Sequence, residues 1–193
     1  MIKTHEREKL INAMVFFAEN TRHCGKIKLF KLLYLLDFEH FKETGRPVTG
    51  MEYRAWEKGP VPHELWCEWP AMQRGSAAND IANAIDIVPE STGDYELQKV
   101  VPLIAFHDDH FTRRELRIMR SLVERFRDER TKPLINFTHQ LLGPWEVTWR
   151  DGQGNNESID YALAVGADDP YAAEILEAAA EFEAVKAVLG VVH

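Results

Sequence analysis

Cysteine is almost missing from this chain: Cys24 and Cys67 are the only two among 193 residues. Two thiols cannot staple a small secreted framework, and nothing in the sequence suggests export, so both are expected to be free. Long apolar runs are missing too. No stretch reaches the roughly 20 apolar residues that a membrane-spanning helix needs. The first residues, Met1 to Lys9, are charged and lack the apolar core of a signal peptide. These absences point to the cytoplasm and to no membrane partner. Glycine-rich phosphate loops, a Gly-x-Ser-x-Gly elbow and internal repeats are lacking as well. The C-terminal part lacks bases: from Asp151 onward nine acids face the single Lys186, so the formal charge of −8 lies there. Such a distribution argues against general binding of nucleic acid. It would suit a basic protein partner, or be the solvated face of a helix.

What is present is enough apolar residue, 45% of the chain, for a packed core. Leu10, Met14 and Phe17 are spaced for an amphipathic helix from His5 to about Asn20. A second helix is expected from about Lys26 to Thr44. Its Leu29, Phe30, Leu32, Leu33, Tyr34, Leu35, Leu36 and Phe38 cover nearly every direction, which marks a buried central helix. Gly45 and Pro47 stop it. Met51 to Glu57 reads as a short strand, Gly59-Pro60-Val61-Pro62 as a rigid turn, and Pro62 as the opening of a helix toward Met72. Ile85 to Val88 and Tyr95 to Val101 read as a hairpin.

Thr112 and Glu115 form a capping box for a helix reaching about Asp128, with Leu116, Met119, Val123 and Phe126 inward. Pro133 starts a short helix toward Gln140. Trp145 to Arg150 is expected to be extended, and Asp151-Gly152-Gln153-Gly154 to turn. The last helix, about Pro170 to Leu189, sets Ile175, Phe182, Val185 and Leu189 opposite Glu174, Glu177 and Glu181. The expected fold is mainly α with a minor β part (α+β), in one compact unit: residues 1–150, with an acidic helical extension, 151–193, packed on them.

Candidate chemistry is thin. His107-Asp108-Asp109-His110 offers zinc or iron ligand types, but no second cluster completes a site, and a polar loop accounts for it equally. His63 and Cys67, four apart on a helix, are two ligands at most, and read as an exposed histidine beside a packed cysteine. Asp151 to Asn156 hints at a calcium loop, yet Asn156 stands at the glycine position and Ala162 at that of the bidentate acid. Cys24 beside His23 gains nothing from adjacency in sequence. No metal or cofactor is therefore expected. Arg113, Arg117, Arg120 and Arg127 form a stripe that can grip phosphates, pair with nearby acids or meet an acidic partner.

Three blocks organise the chain and carry a resemblance. They are Lys28-Leu29-Phe30-Lys31-Leu32-Leu33-Tyr34-Leu35-Leu36-Asp37 with His40 and Thr44-Gly45-Arg46-Pro47-Val48; Tyr53-Arg54-Ala55-Trp56-Glu57-Lys58-Gly59-Pro60-Val61-Pro62 with Leu65; and Leu134-Ile135-Asn136-Phe137-Thr138-His139 with Pro144-Trp145. In order, over about Leu10 to Trp149, they resemble the Panacea domain, also called SocA-like. Phe30 departs from the family's usual glutamine, a change on the core side.

The family consists of antitoxins in bacterial and phage toxin–antitoxin pairs, and one member delivers its toxin to a protease as an adaptor. The resemblance implies a non-enzymatic protein whose partner is a cognate toxin. It marks Asp37, Arg46, Trp56, Gly59, Pro60, Val61, Thr138, His139 and Trp145 as motif or partner-binding residues. Trp56 and Trp145 read equally as core residues and as interface anchors. Asp37, Arg46 and His139 are expected to share a buried polar network, with a vestigial catalytic constellation as the alternative. Two other functions stay open: a small hydrolase, metal-dependent or built on His and Asp, using His107, Asp109, His110 or His139, and a DNA-binding regulator using the arginine stripe.

Overall fold

The computed structural model describes residues 5–73, 75, 79–91, 96–139 and 143–189. The first helix, α1 (Glu6–Asn20), is followed by α2 (Lys26–Thr44), and both match the spacing of their apolar residues. Leu29, Leu32, Leu33 and Leu36 are fully enclosed, and Phe30 is only 2% exposed, so the departure at that position is absorbed by the core. Each such side chain contributes about 1.5–3 kcal/mol when buried. α1, α4 (Arg113–Phe126), α5 (Thr131–Thr138) and α7 (Ala172–Leu189) all pack on α2. Gly45 follows α2, and a Cβ there would stand 2.4 Å from the Ile175 carbonyl. Its missing side chain lets the last helix approach.

Two lysines lie within this apolar helix and are enclosed in the core. Lys28 Nζ donates to the carbonyls of Arg22 at 2.7 Å and of Glu129 at 2.6 Å, tying the α1–α2 connection to the end of α4. Lys31 Nζ donates to the Pro60 carbonyl at 2.8 Å. Burial pushes its pKa down to about 7.

β1 (Tyr53–Trp56) and β2 (Gly59–Pro62) form an antiparallel hairpin, with Trp56 opposite Gly59. Gly59-Pro60-Val61-Pro62 was expected to be the turn; it is the second strand, and Glu57 and Lys58 make the turn. Prolines are admitted because their partners need nothing from them. The Ala55 N–H donates to the Glu157 carbonyl, and the Ala55 and Tyr53 carbonyls accept from Asn156 and Ile159. Residues 53 and 55 thus direct their backbone groups away from β2, so Pro62 and Pro60 sit opposite positions that need no ladder donor.

Helix α3 (His63–Gln73) follows directly after Pro62. The second hairpin pairs β3 (Ile85–Ser91) with β4 (Glu96–Pro102). Tyr95, the expected start of its second strand, and the tip lie outside the described residues. α4 (Arg113–Phe126) starts with the anticipated capping box between Thr112 and Glu115. Its Leu116, Met119 and Phe126 are buried as expected, Val123 is half-buried, and Ile118 and Leu122 complete the face.

α5 (Thr131–Thr138) begins two residues before Pro133, which a first helical turn tolerates; Gln140 lies outside the described residues. α6 (Pro144–Trp149) is helical where an extended segment was expected. Trp145, Val147 and Trp149 alternate like a strand, but Trp145 and Trp149 are also four apart. Pro144 at the first helical position decides for the helix. In α7 (Ala172–Leu189) Ile175 is buried and Phe182 half-buried, whereas Val185 is 49% exposed, against expectation. The helix rotates so that Lys186 rather than Val185 lies inward, within 3.9 Å of Glu6. The Leu189 side chain lies outside the described residues.

Candidate partner-binding site

The hairpin β1–β2, α5 and α6 bring most of the motif residues together. The amide of His139 closes α5 on the Ile135 carbonyl at 3.0 Å, and Thr138, nearly enclosed, bonds the same carbonyl through its hydroxyl. The His139 ring lies flat on Trp145, with centroids 3.6 Å apart and planes at 8°. Trp145 in turn stacks on Trp149 at 5.6 Å. The indole N–H of Trp145 donates to the Trp56 carbonyl at 3.0 Å, which fixes the stack to the end of β1.

Gly59 sits under this stack with φ at +97°, a left-handed conformation that favours glycine. A Cβ there would stand 2.7 Å from both His139 Nε2 and Lys31 Nζ. The missing side chain is the space those two nitrogens occupy. His139 Nε2 is buried and has no hydrogen-bond partner among the described residues. Its pKa is held down first by burial and then by the Lys31 charge, with the Lys58 carbonyl opposing. The ring is therefore a neutral packing surface for Trp145 at neutral pH. Val61 and Pro60 are buried beside it.

The outer side of the hairpin is aromatic and partly open. Trp56 is half-buried, and its indole N–H donates to Asn156 Oδ1 at 3.1 Å. Its ring meets Trp66 of α3 edge-on at 4.8 Å. Trp66 is 39% exposed, and Lys26 Nζ lies 3.4 Å from its ring centroid, a cation–π contact on the surface. Burial lowers the Lys26 pKa to about 8. Ile27, 43% exposed, follows Lys26 on α2.

The expected network of Asp37, Arg46 and His139 does not form. Asp37 is fully buried and accepts from the amides of Val48 at 2.8 Å and Thr49 at 2.7 Å. It also accepts from the hydroxyls of Thr49 and Tyr53, while the Tyr161 hydroxyl, which donates to the Met51 carbonyl at 2.7 Å, lies 3.4 Å away. Burial raises its pKa to about 6, and those bonds oppose the rise. This carboxylate fastens the loop after α2 and leaves no oxygen for catalysis. Arg46 is exposed, its guanidinium 4.6 Å from the Phe182 ring of α7, and only its carbonyl reaches inward, to His40. His139 belongs to the tryptophan stack. A helix end separates the three because Gly45 turns Arg46 outward.

Other sequence candidates scatter. His110 stacks on His5 at 4.4 Å, and among the described residues no group of three or more His, Cys, Asp or Glu is placed to hold a metal ion. Cys67 is exposed rather than packed, and Cys24 is the buried one, its thiol pushed up to about 11 by burial. Both are free. In the arginine stripe Arg117 pairs with Glu43 and, just beyond it, Arg125 pairs with Glu39. Lys31, Trp66 and Lys26 are the contributors that sequence reading missed. A lysine amid leucines on an all-apolar helix was the signal for Lys31.

Residues 29–146, more than half of the chain, match the family model described as antitoxin SocA-like, Panacea domain. The chain belongs to that family. No curated protein and no solved structure matches it. Among the described residues no helix is long and apolar enough to cross a membrane.

Proposed function

We propose that this protein is a cytoplasmic, non-catalytic antitoxin that neutralises a cognate toxin by direct contact, through the open side of the β1–β2 hairpin. Family membership carries the reading, and the partly exposed aromatic pair supports the choice of surface. Tryptophan is the commonest kind of interface anchor, and a cluster that is half exposed in the free protein is poised to be covered. Residues 1–150 form the toxin-binding unit in this reading, with 151–193 as an extension packed on it. Delivery of the bound toxin to a protease is its finer form, and it requires that the toxin's half-life shorten when this protein is present.

The test pairs growth rescue with a melting curve. Trp66→Ala removes an exposed ring, so the melt should stay near that of the wild type. Rescue from the toxin encoded beside it should fail, because loss of a hot-spot anchor costs about 2 kcal/mol or more, roughly 30-fold in affinity. Trp56→Ala should lose rescue with a lower melt, since that ring is partly core. If the wild-type chain neither rescues growth nor co-purifies with the neighbouring gene product, the antitoxin reading fails.

A further inference from the structure

Beside the two tryptophans Trp56 and Trp66 stands a cation that has rings around it and no anion. Lys26 opens α2, and its Nζ lies 3.4 Å from the Trp66 ring centroid, 5.2 Å from that of Trp69 and 5.6 Å from that of Phe30. Trp69 and Phe30 are buried and meet edge-on at 5.3 Å, so the core fixes the inner wall of this cage, while Trp66 lies at the surface. Among the described residues Lys26 has no ion pair, and its ammonium donates no hydrogen bond.

The charged groups of the adjoining elements do not fill that role. Lys28 and Lys31 of α2 donate to backbone carbonyls, Glu68 of α3 holds Arg7, and Lys99 of β4 holds Glu90. None of these, nor His63 and Glu64 of α3, moves the Lys26 pKa, which burial lowers. A ring face attracts an ammonium but leaves its outer hydrogens to water. A purely apolar partner would strip that water and strand the charge, and a cationic one would add repulsion. An anion removes both penalties. Ile27 next to Lys26, Trp66 against its ammonium and Trp56 against Trp66 make the rest of the surface apolar. A nucleic-acid backbone would call for a row of cations here rather than one. A second copy of this chain, with its formal charge of −8, meets net repulsion on approach.

We propose that the toxin sets the carboxylate of one aspartate or glutamate, carried on an otherwise apolar segment, on the Lys26 ammonium beside Trp66. This rests on the antitoxin reading and names the chemistry of the segment that the hairpin side receives.

The toxin encoded beside this gene is titrated into the full chain by calorimetry at pH 8, in two buffers that differ in ionisation enthalpy. Lys26→Met keeps a stem on Trp66 and removes the charge. The melt of the free protein should stay where it is, and affinity should fall on the order of 30-fold or more. With the Lys26 pKa at about 8 in the free chain, a carboxylate that favours the charged form draws in a proton. The wild type should therefore take up about half a proton more than Lys26→Met on binding. Lys26→Arg, charged before and after, should keep most of the affinity and take up no extra proton. Replacing the toxin's acids one at a time should find one whose loss costs nothing further in Lys26→Met. If Lys26→Met melts early, Lys26→Gln and the proton uptake decide. Equal affinity of the wild type and the uncharged variant overturns the proposal, as does a toxin with no acid coupled to Lys26. A dimer of the free chain that Lys26→Met dissolves would make the occupant a second copy and overturn it too. If the wild type binds no toxin, the antitoxin reading falls and takes this proposal with it, an outcome that the first titration separates from the others.

Discussion

Replacing Gly59 with alanine tests whether the motif glycine exists to make room for two buried nitrogens. An alanine at φ +97° is strained by about 1–3 kcal/mol. Its Cβ would also stand 2.7 Å from Lys31 Nζ and His139 Nε2, so both must retreat. Lys31 can retreat only by giving up the Pro60 carbonyl, and a buried carbonyl without a donor costs about 1–3 kcal/mol more. The expected loss is about 2–6 kcal/mol, a large share of the ~5–15 kcal/mol that holds a domain together. Gly75 is the control. It has φ +61° with no atom of the described residues within 4 Å of a built Cβ, so alanine there should cost only about 1–2 kcal/mol. Urea titrations followed by tryptophan fluorescence measure both. If the two substitutions cost the same, the space under the hairpin is not what the glycine provides.

Three further outcomes can be checked on the same material. Lys31 has a folded pKa of about 7, below its unfolded value, so the unfolded chain holds the extra proton between them and stability should rise with pH. Between pH 7.5 and 9.5 its share of that slope is at most ~1.4 kcal/mol per pH unit, and urea titrations of Lys31→Met across this window should lack it. Asp37→Ala strands two backbone amides and the hydroxyls of Thr49 and Tyr53, and should cost on the order of 3–5 kcal/mol in the same titrations. Changing the exposed Glu174, Glu177 and Glu181 to glutamine should slow association with a basic toxin several-fold at low salt in stopped-flow mixing, and leave it unchanged at high salt.

The helices were legible wherever a periodic apolar face met a clear stop. α1 and α2 match to within a residue, because Leu10, Met14 and Phe17 keep one face and Gly45 ends the next helix. The capping box at Thr112 is a local device and was readable as such. Misreadings fell where two periods fit the same residues, as in Trp145 to Trp149, or where tertiary pairing overrode a local preference, as with the prolines of β2. Most of the motif residues do converge, yet their grouping was not visible in one dimension. Which polar group meets Asp37 depends on Thr49 and Tyr161, one close in sequence and one far. The partnership of Lys31 with Gly59 and His139 is likewise set by how α2 and α5 pack.

Tyr161 lies beyond the end of the family match at residue 146, yet its hydroxyl bonds the Met51 carbonyl at 2.7 Å and reaches Asp37. Residues 156–159 run beside β1, and Ile159 is buried in the same core. A fragment cut where the sequence similarity ends would therefore open a wound along β1 and leave a carboxylate facing water. Anyone trimming this protein to its recognisable part should keep the chain through Ala164 at least. Where sequence similarity stops and where the fold closes are different places in this molecule.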